Sequence, residues 1–134
     1  MIHTHMTAEA FLQLPETNLP TELINGEFIE MIAPHDLHQK TSIHLVAVLL
    51  PILPAGEFRS APTDVCLDNL NVFQPDLFWV SAGNTSCKVM DGKWYGAPDL
   101  IVEIFSPSTE RRDKKPNLIL TSNMVSTNIG WLTR

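Results

Sequence analysis

The stretch that decides the fold is Asp99-Leu100-Ile101-Val102-Glu103-Ile104-Phe105, a nearly continuous apolar run with one carboxylate inside it. Such a run is typical of a central β-strand that is covered on both faces of its sheet. Burying an unpaired carboxylate costs on the order of several kcal/mol, so the group is normally neutralised, paired or bound to a metal ion. Glu103 therefore needs a partner in the folded chain.

A second carboxylate opens another β-prone segment, in Gln74-Pro75-Asp76-Leu77-Phe78-Trp79-Val80. If the two strands are neighbours, Asp76 and Glu103 converge at one edge of the sheet and can hold a hard cation through oxygen ligands. Each acid also has an ordinary interpretation: Glu103 as a salt-bridged or edge residue, Asp76 as the end of a turn. Asp99 either shares the face of Glu103, by strand alternation, or merely starts the strand.

Other candidate residues are weaker. Glu22 is a further acid inside a strand, and its ordinary interpretation is an edge-strand position. His35 and His38 have a spacing that can bind metal at a helix start, but they can equally face solvent. The two cysteines are too few and too far apart for a disulfide framework or a zinc cluster.

The remaining patterns predict a mixed α/β (α+β) fold with a mixed central sheet flanked by helices. At 134 residues, a single domain over the whole chain is expected. The predicted elements are a helix from Thr7 to about Leu14, a hairpin of Thr21 to Ile24 and Glu27 to Ile32 around Asn25-Gly26, a helix over about 34–53, strands over 57–61, 64–67, 72–80 and 100–105, an exposed loop over 81–96, and a helix start at 106–110.

Charge and hydropathy narrow the function classes. The net charge of −6 argues against a non-specific phosphate-binding surface, although carboxylates gathered around a divalent ion would also make a site acidic. The longest apolar run, Leu45 to Leu53, is broken by Pro51 and is shorter than the roughly twenty residues of a membrane span. Residues 1–6 have no apolar core of a secretory signal, so a cytoplasmic location without membrane contact is expected.

At these residues the sequence resembles the Uma family of predicted restriction endonucleases, in the PD-(D/E)-x-K nuclease superfamily. The resemblance runs from Met6 to about Lys115. Its motifs are Glu22-Leu23-Ile24-Asn25-Gly26-Glu27, His38-Gln39, Ala61-Pro62-Thr63-Asp64-Val65, Gln74-Pro75-Asp76-Leu77, Ala97-Pro98-Asp99-Leu100-Ile101-Val102-Glu103-Ile104, Ser106-Pro107-Ser108-Thr109 and Arg112-Asp113-Lys114.

The resemblance implies a restriction-endonuclease-like fold and a metal-dependent endonuclease that hydrolyses DNA phosphodiester bonds. It implies Asp76 and Glu103 as the acids that bind Mg²⁺ or Mn²⁺, and Glu22 as an additional catalytic acid. The usual superfamily pattern has a Lys two residues after the second acid, where this chain has Phe105. The Uma pattern supplies a Lys where this chain has Asn117. The alternative is therefore a catalytically dead nuclease-like binding module or a decayed gene product.

The C-terminal tail departs from the family pattern, which continues with a Lys-x-x-x-Tyr helix and a Gly-Val-x-Glu-Tyr-Trp-Leu-Val-Asp-Pro strand. Read in the neighbouring frame, permitted codons for residues 123–134 give Tyr-Gly-Val-Asn-Glu-Tyr-Trp-Leu-Val-Asp-Pro, and the same frame permits a Lys in place of Asn117. We therefore hypothesise a frameshift just after Lys115. It would leave the fold incomplete at its C-terminus, with a divergent tail over 116–134.

Loss of the family's last strand would leave an unpaired sheet edge, and such edges pair readily with another copy of the same chain. We predict a homodimer or a larger homo-oligomer. Size-exclusion chromatography with light scattering measures the mass directly. A sharp peak at the monomer mass of 15.0 kDa would contradict the prediction.

Overall fold

The computed structural model describes residues 5–32, 36–105, 117–122 and 130–132. None of its helices in these ranges has both the length and the hydropathy that a membrane crossing requires. In chain order the elements are α1 (Ala8–Leu12), β1 (Thr21–Ile24), β2 (Glu27–Glu30), α2 (Asp36–Leu49), β3 (Gly56–Ser60), β4 (Val65–Asp68), β5 (Asn71–Phe73), β6 (Leu77–Ser81), β7 (Lys88–Met90), β8 (Lys93–Tyr95), β9 (Leu100–Phe105), β10 (Asn117–Ser122) and β11 (Gly130–Leu132).

The chain forms two compact units, and the predicted mixed α+β class is confirmed. The first unit comprises residues 1–33, 62–74 and 85–97, and the second comprises 34–61, 75–84 and 98–134. That the chain acts as a single domain stays a prediction.

The first unit is built on a six-stranded sheet in the order β2-β1-β5-β4-β8-β7. Its first hairpin turns at Asn25 and Gly26, whose φ angles of 50° and 79° are those of the predicted type I′ turn. Helix α1 begins after Thr7, whose side chain accepts a hydrogen bond from the N–H of Ala10, so the predicted cap is confirmed. Ala8 and Phe11 of this helix pack with Leu23 and Val72.

A second hairpin in the first unit corrects the sequence prediction. Residues 81–96 were expected to form an exposed loop, but 88–90 and 93–95 form the antiparallel pair β7 and β8. Asp91 and Gly92 adopt φ angles of 50° and 75°, again a type I′ turn. Strand β8 also runs parallel to β4, which places the hairpin at the end of the sheet.

The segment 72–80 was predicted as one strand and is instead two. Residues 71–73 form β5 in the sheet of the first unit, and residues 77–81 form β6 in the second unit. Pro75 explains the division, because proline has no N–H for a ladder hydrogen bond and restricts the backbone of the residue before it.

The second unit holds a five-stranded sheet in the order β11-β10-β9-β6-β3, with every pair antiparallel. The expectation that 100–105 form a central strand is confirmed. Helix α2 lies over this sheet and packs Leu45, Val46 and Leu49 against a buried cluster of Leu77, Val102 and Ile104. The same face of α2 therefore covers both β6 and β9.

The C-terminal part of this sheet differs from the family pattern. Residues 117–122 form β10, antiparallel to β9, where the family pattern has a helix. Ile119 and Leu120 consequently lie in a strand. The sheet ends at β3 and β11, and the homo-oligomer stays a prediction. The predicted helix start at 106–110 lies outside the described residues.

Candidate active site

The register of β6 and β9 decides how the two predicted acids are placed. Leu77 stands opposite Val102, and Phe78 stands opposite Ile101. In an antiparallel pair, one step back along one strand meets one step forward along the other. The register therefore continues to Asp76 opposite Glu103. The sheet brings the backbones of these two acids to neighbouring positions.

The Asp76 carboxylate is held by two donors. Asp76 lies in the bend before β6, so its side chain is not fixed by the alternation of the strand. Its Oδ2 accepts a hydrogen bond of 2.6 Å from the backbone N–H of Ile104, and its Oδ1 lies 2.8 Å from Nε2 of His38. Ladder N–H groups lie in the plane of the sheet, so the carboxylate sits at the end of β6, beside β9.

His38 reaches Asp76 because it shares the packed face of α2. His38, Leu45 and Leu49 have the spacing i, i+7 and i+11, which repeats on one side of a helix. The side chain of His38 is 14% exposed, so the solvent-facing interpretation is wrong for this residue. Its spacing to Leu45 and Leu49 is the sequence pattern that could have revealed its position. His35 lies outside the described residues.

Glu103 is half-buried on the central strand β9. Its neighbours Val102 and Ile104 are buried against α2, so strand alternation directs the Glu103 side chain to the other face of the sheet. Among the residues that the structure describes, no three His, Cys, Asp or Glu side chains form a group that could hold a metal ion. A metal at this position would rest on Asp76 and Glu103 as a pair of carboxylates.

Glu22 belongs to the first unit, whereas Asp76 and Glu103 belong to the second. Strand β1 lies between β2 and β5, so the edge-strand interpretation of Glu22 is wrong. Its side chain is nearly buried, and Oε1 accepts a hydrogen bond of 2.9 Å from the backbone N–H of Gln74. The amide of Gln74 in turn donates to Asp64, which extends this network within the first unit.

Asp99 starts β9 and stabilises the end of β6. Its carboxylate accepts hydrogen bonds from the N–H of Ser81 at 2.8 Å and from the amide of Asn84 at 2.9 Å. Burial raises the pKa of Asp99, but these hydrogen bonds outweigh it and hold the pKa below its ordinary value. The structure thus favours the interpretation in which Asp99 begins the strand.

The two positions at which the superfamily and the Uma pattern supply a lysine are neighbours in the sheet. Asn117 of β10 stands opposite Phe105 of β9 in the backbone register. In this chain neither position carries a lysine.

We predict that Asp99→Asn lowers the free energy of unfolding by about 1 kcal/mol at pH 7, because a charged acceptor of two hydrogen bonds is replaced by a neutral amide. A carboxylate whose pKa is lowered by folding adds stability above its unfolded value, near 3.8, and loses it as the pH falls through the folded value. The difference between wild type and variant should therefore shrink below about pH 4 in urea unfolding.

The matched control is Asp91→Asn, because Asp91 is exposed and asparagine tolerates its positive φ. This variant should stay within about 0.5 kcal/mol of wild type. A deficit of Asp99→Asn that is unchanged down to the lowest pH would show that the charge of Asp99 contributes nothing.

The sequence comparisons identify a family for this chain. The family model Uma2, described as "Putative restriction endonuclease", matches residues 8–120. A search of curated proteins finds no match. The matched residues include β6, β9 and α2, which carry Asp76, Glu103 and His38. Because the match covers most of the chain, this protein belongs to the Uma2 family of putative restriction endonucleases.

Proposed function

We propose that the chain is a metal-dependent endonuclease that hydrolyses the phosphodiester bonds of DNA, with Asp76 and Glu103 binding Mg²⁺ or Mn²⁺ and Glu22 as an additional acid. Membership of a restriction endonuclease family supports the reaction class. The observation that carries the proposal is the antiparallel register of β6 and β9, which pairs Leu77 with Val102. One further step of the same register would set Asp76 opposite Glu103.

The donor set suits a hard cation. Asp76 and Glu103 offer carboxylate oxygens, and Mg²⁺ is commonly held by one or two carboxylates together with waters and substrate phosphates. Each oxygen of Asp76 accepts one hydrogen bond and has capacity for two, so each keeps a lone pair for a cation. A pair of carboxylates without a third protein ligand is therefore compatible with Mg²⁺.

A divalent ion held by these acids would make its bound water a better nucleophile and offset charge on the scissile phosphate. The residues around the two acids would orient them. The N–H of Ile104 and the imidazole of His38 fix the plane of the Asp76 carboxylate, and strand β9 fixes the backbone of Glu103 beside it. The two contacts hold the Asp76 carboxylate before substrate arrives, which would reduce the cost of ordering the site.

A second function, a nuclease-like module that binds DNA without cutting it, is favoured by one observation. Phe105 and Asn117 occupy the neighbouring positions at which the superfamily and the Uma pattern supply a lysine. That lysine orients or activates the attacking water, and general acid–base assistance of this kind is worth about 10²–10⁴-fold in rate. A chain without it would keep the metal site and lose most of its cleavage rate.

Titration calorimetry with MgCl₂ and MnCl₂ tests the metal site. We expect the wild-type chain to bind, and Asp76→Ala and Glu103→Ala each to abolish binding, because either change removes half of the carboxylate pair. Glu16→Ala, which removes an exposed acid, is the control and should bind as wild type does. Unchanged affinity in Glu103→Ala would remove Glu103 from the site, and absence of binding in wild type would contradict the proposal.

Restoring the lysine separates the two functions. We expect Asn117→Lys to raise Mn²⁺-dependent nicking of a supercoiled plasmid at least tenfold, since the Uma pattern has a lysine at this position. Asn117→Arg is the matched control, because it adds the same charge but its guanidinium does not deprotonate in proteins. Equal rates for the two variants would mean that charge alone is responsible. Cleavage by wild type at the rate of Asn117→Lys would rule out the binding module.

A further inference from the structure

The contact between His38 and Asp76 has a defined direction. A carboxylate oxygen accepts hydrogen bonds and donates none, so at 2.8 Å from Oδ1 the Nε2 atom of His38 carries the hydrogen. A ring nitrogen that carries a hydrogen has no lone pair for a metal ion. In this arrangement Nε2 of His38 therefore acts on Asp76 and not on a cation.

We propose that His38 is a positioning residue of the active site, which orients the Asp76 carboxylate for a divalent cation. This inference rests on the proposed function, because it concerns the same metal site. Sequence patterns and family membership leave His38 without this role, and the structure supplies it through the contact with Asp76.

Two donors on different oxygens are what orient the carboxylate. A hydrogen bond to one oxygen still lets the group swing about that oxygen, whereas the Ile104 N–H on Oδ2 and the His38 N–H on Oδ1 together fix its plane. Both donors are themselves fixed. Ile104 lies on β9, the strand between β6 and β10, and His38 shares the face of α2 that packs on β6 and β9.

The effect of such a partner on a metal ligand is measurable. Groups that hydrogen-bond to a metal ligand fix its orientation, and their loss typically weakens metal binding about 10–100-fold. His38 and Asp76 are also largely buried, with side chains 14% and 16% exposed, so water is a poor replacement for the imidazole. Removing the imidazole should leave the Asp76 carboxylate held at Oδ2 alone, so that Oδ1 is no longer fixed.

The test is Mn²⁺ titration calorimetry on the full chain, with His38→Ala, His38→Gln and His44→Ala. We expect His38→Ala to weaken Mn²⁺ binding about 10–100-fold. His38→Gln should recover most of the affinity, because its amide supplies an N–H donor. His44 lies on the same helix with its side chain exposed, so His44→Ala is the control and should bind as wild type does.

A second measurement needs no metal. If the contact exists in solution, the changes in urea midpoint caused by His38→Ala and Asp76→Ala will not add in the double variant. The double variant should be no less stable than the less stable of the two single variants. Additive midpoints would overturn the proposal even if His38→Ala bound Mn²⁺ poorly.

The outcomes separate this proposal from the proposed function. Mn²⁺ binding that is lost in Glu103→Ala but unchanged in His38→Ala would overturn the role of His38 and leave the metal site standing. Equal losses in His38→Gln and His38→Ala would show that an N–H donor at this position does not restore affinity, which also overturns the positioning role. Absence of Mn²⁺ binding in the wild-type chain would overturn both proposals.

Discussion

The antiparallel pairing of β6 with β9 is the constraint on which the site depends. Its register sets Asp76 beside Glu103, and it also brings the N–H of Ile104 to the Asp76 carboxylate. A shift of one residue would send every side chain of β6 to the opposite face and remove the buried cluster beneath α2. The packing that stabilises the second unit and the placement of its acids thus have the same physical cause.

Helix α2 connects that packing to the chemistry. Its apolar face is defined by Leu45, Val46 and Leu49, and burial of these side chains fixes the rotation of the helix over the sheet. Once the rotation is fixed, a residue seven positions before Leu45 on the same side also points at the sheet. His38 occupies this position, so a hydrophobic pattern determines where a polar contact forms.

Local sequence chemistry predicted much of the fold. Asn25-Gly26 has the dihedral preferences of a type I′ turn, and the apolar run from Leu100 to Phe105 is typical of an internal strand; both follow from short segments alone. The hairpin at Asp91-Gly92 was missed because its three-residue strands are too short to show alternation. The segment 81–96 around them is also rich in Gly, Ser, Asn and Lys, which is typical of a loop. The division at Pro75 was missed because strong β propensity on both sides outweighed the missing N–H.

The sequence likewise revealed some residues of the candidate site and not the contacts between them. Asp76 and Glu103 were recognisable as acids in apolar strands, since burial of charge is visible in a sequence pattern. The contact with Ile104 is made by a backbone N–H, so the residue type at position 104 does not reveal it. It depends on the register of β6 and β9, which is a long-range pairing. Asn117 lies in a strand opposite Phe105, whereas the family pattern has a helix in this part of the chain.

The two anchors of the Asp76 carboxylate differ in how they tolerate genetic change. Every amino acid except proline carries a backbone N–H, so almost any residue at position 104 leaves that half of the anchoring intact. The other half depends on the side chain at one position, because only a residue with a suitably placed N–H donor can replace His38. Under relaxed selection the histidine contact would therefore erode well before the strand contact, and a drifting sequence would retain a correctly located but loosely oriented acid.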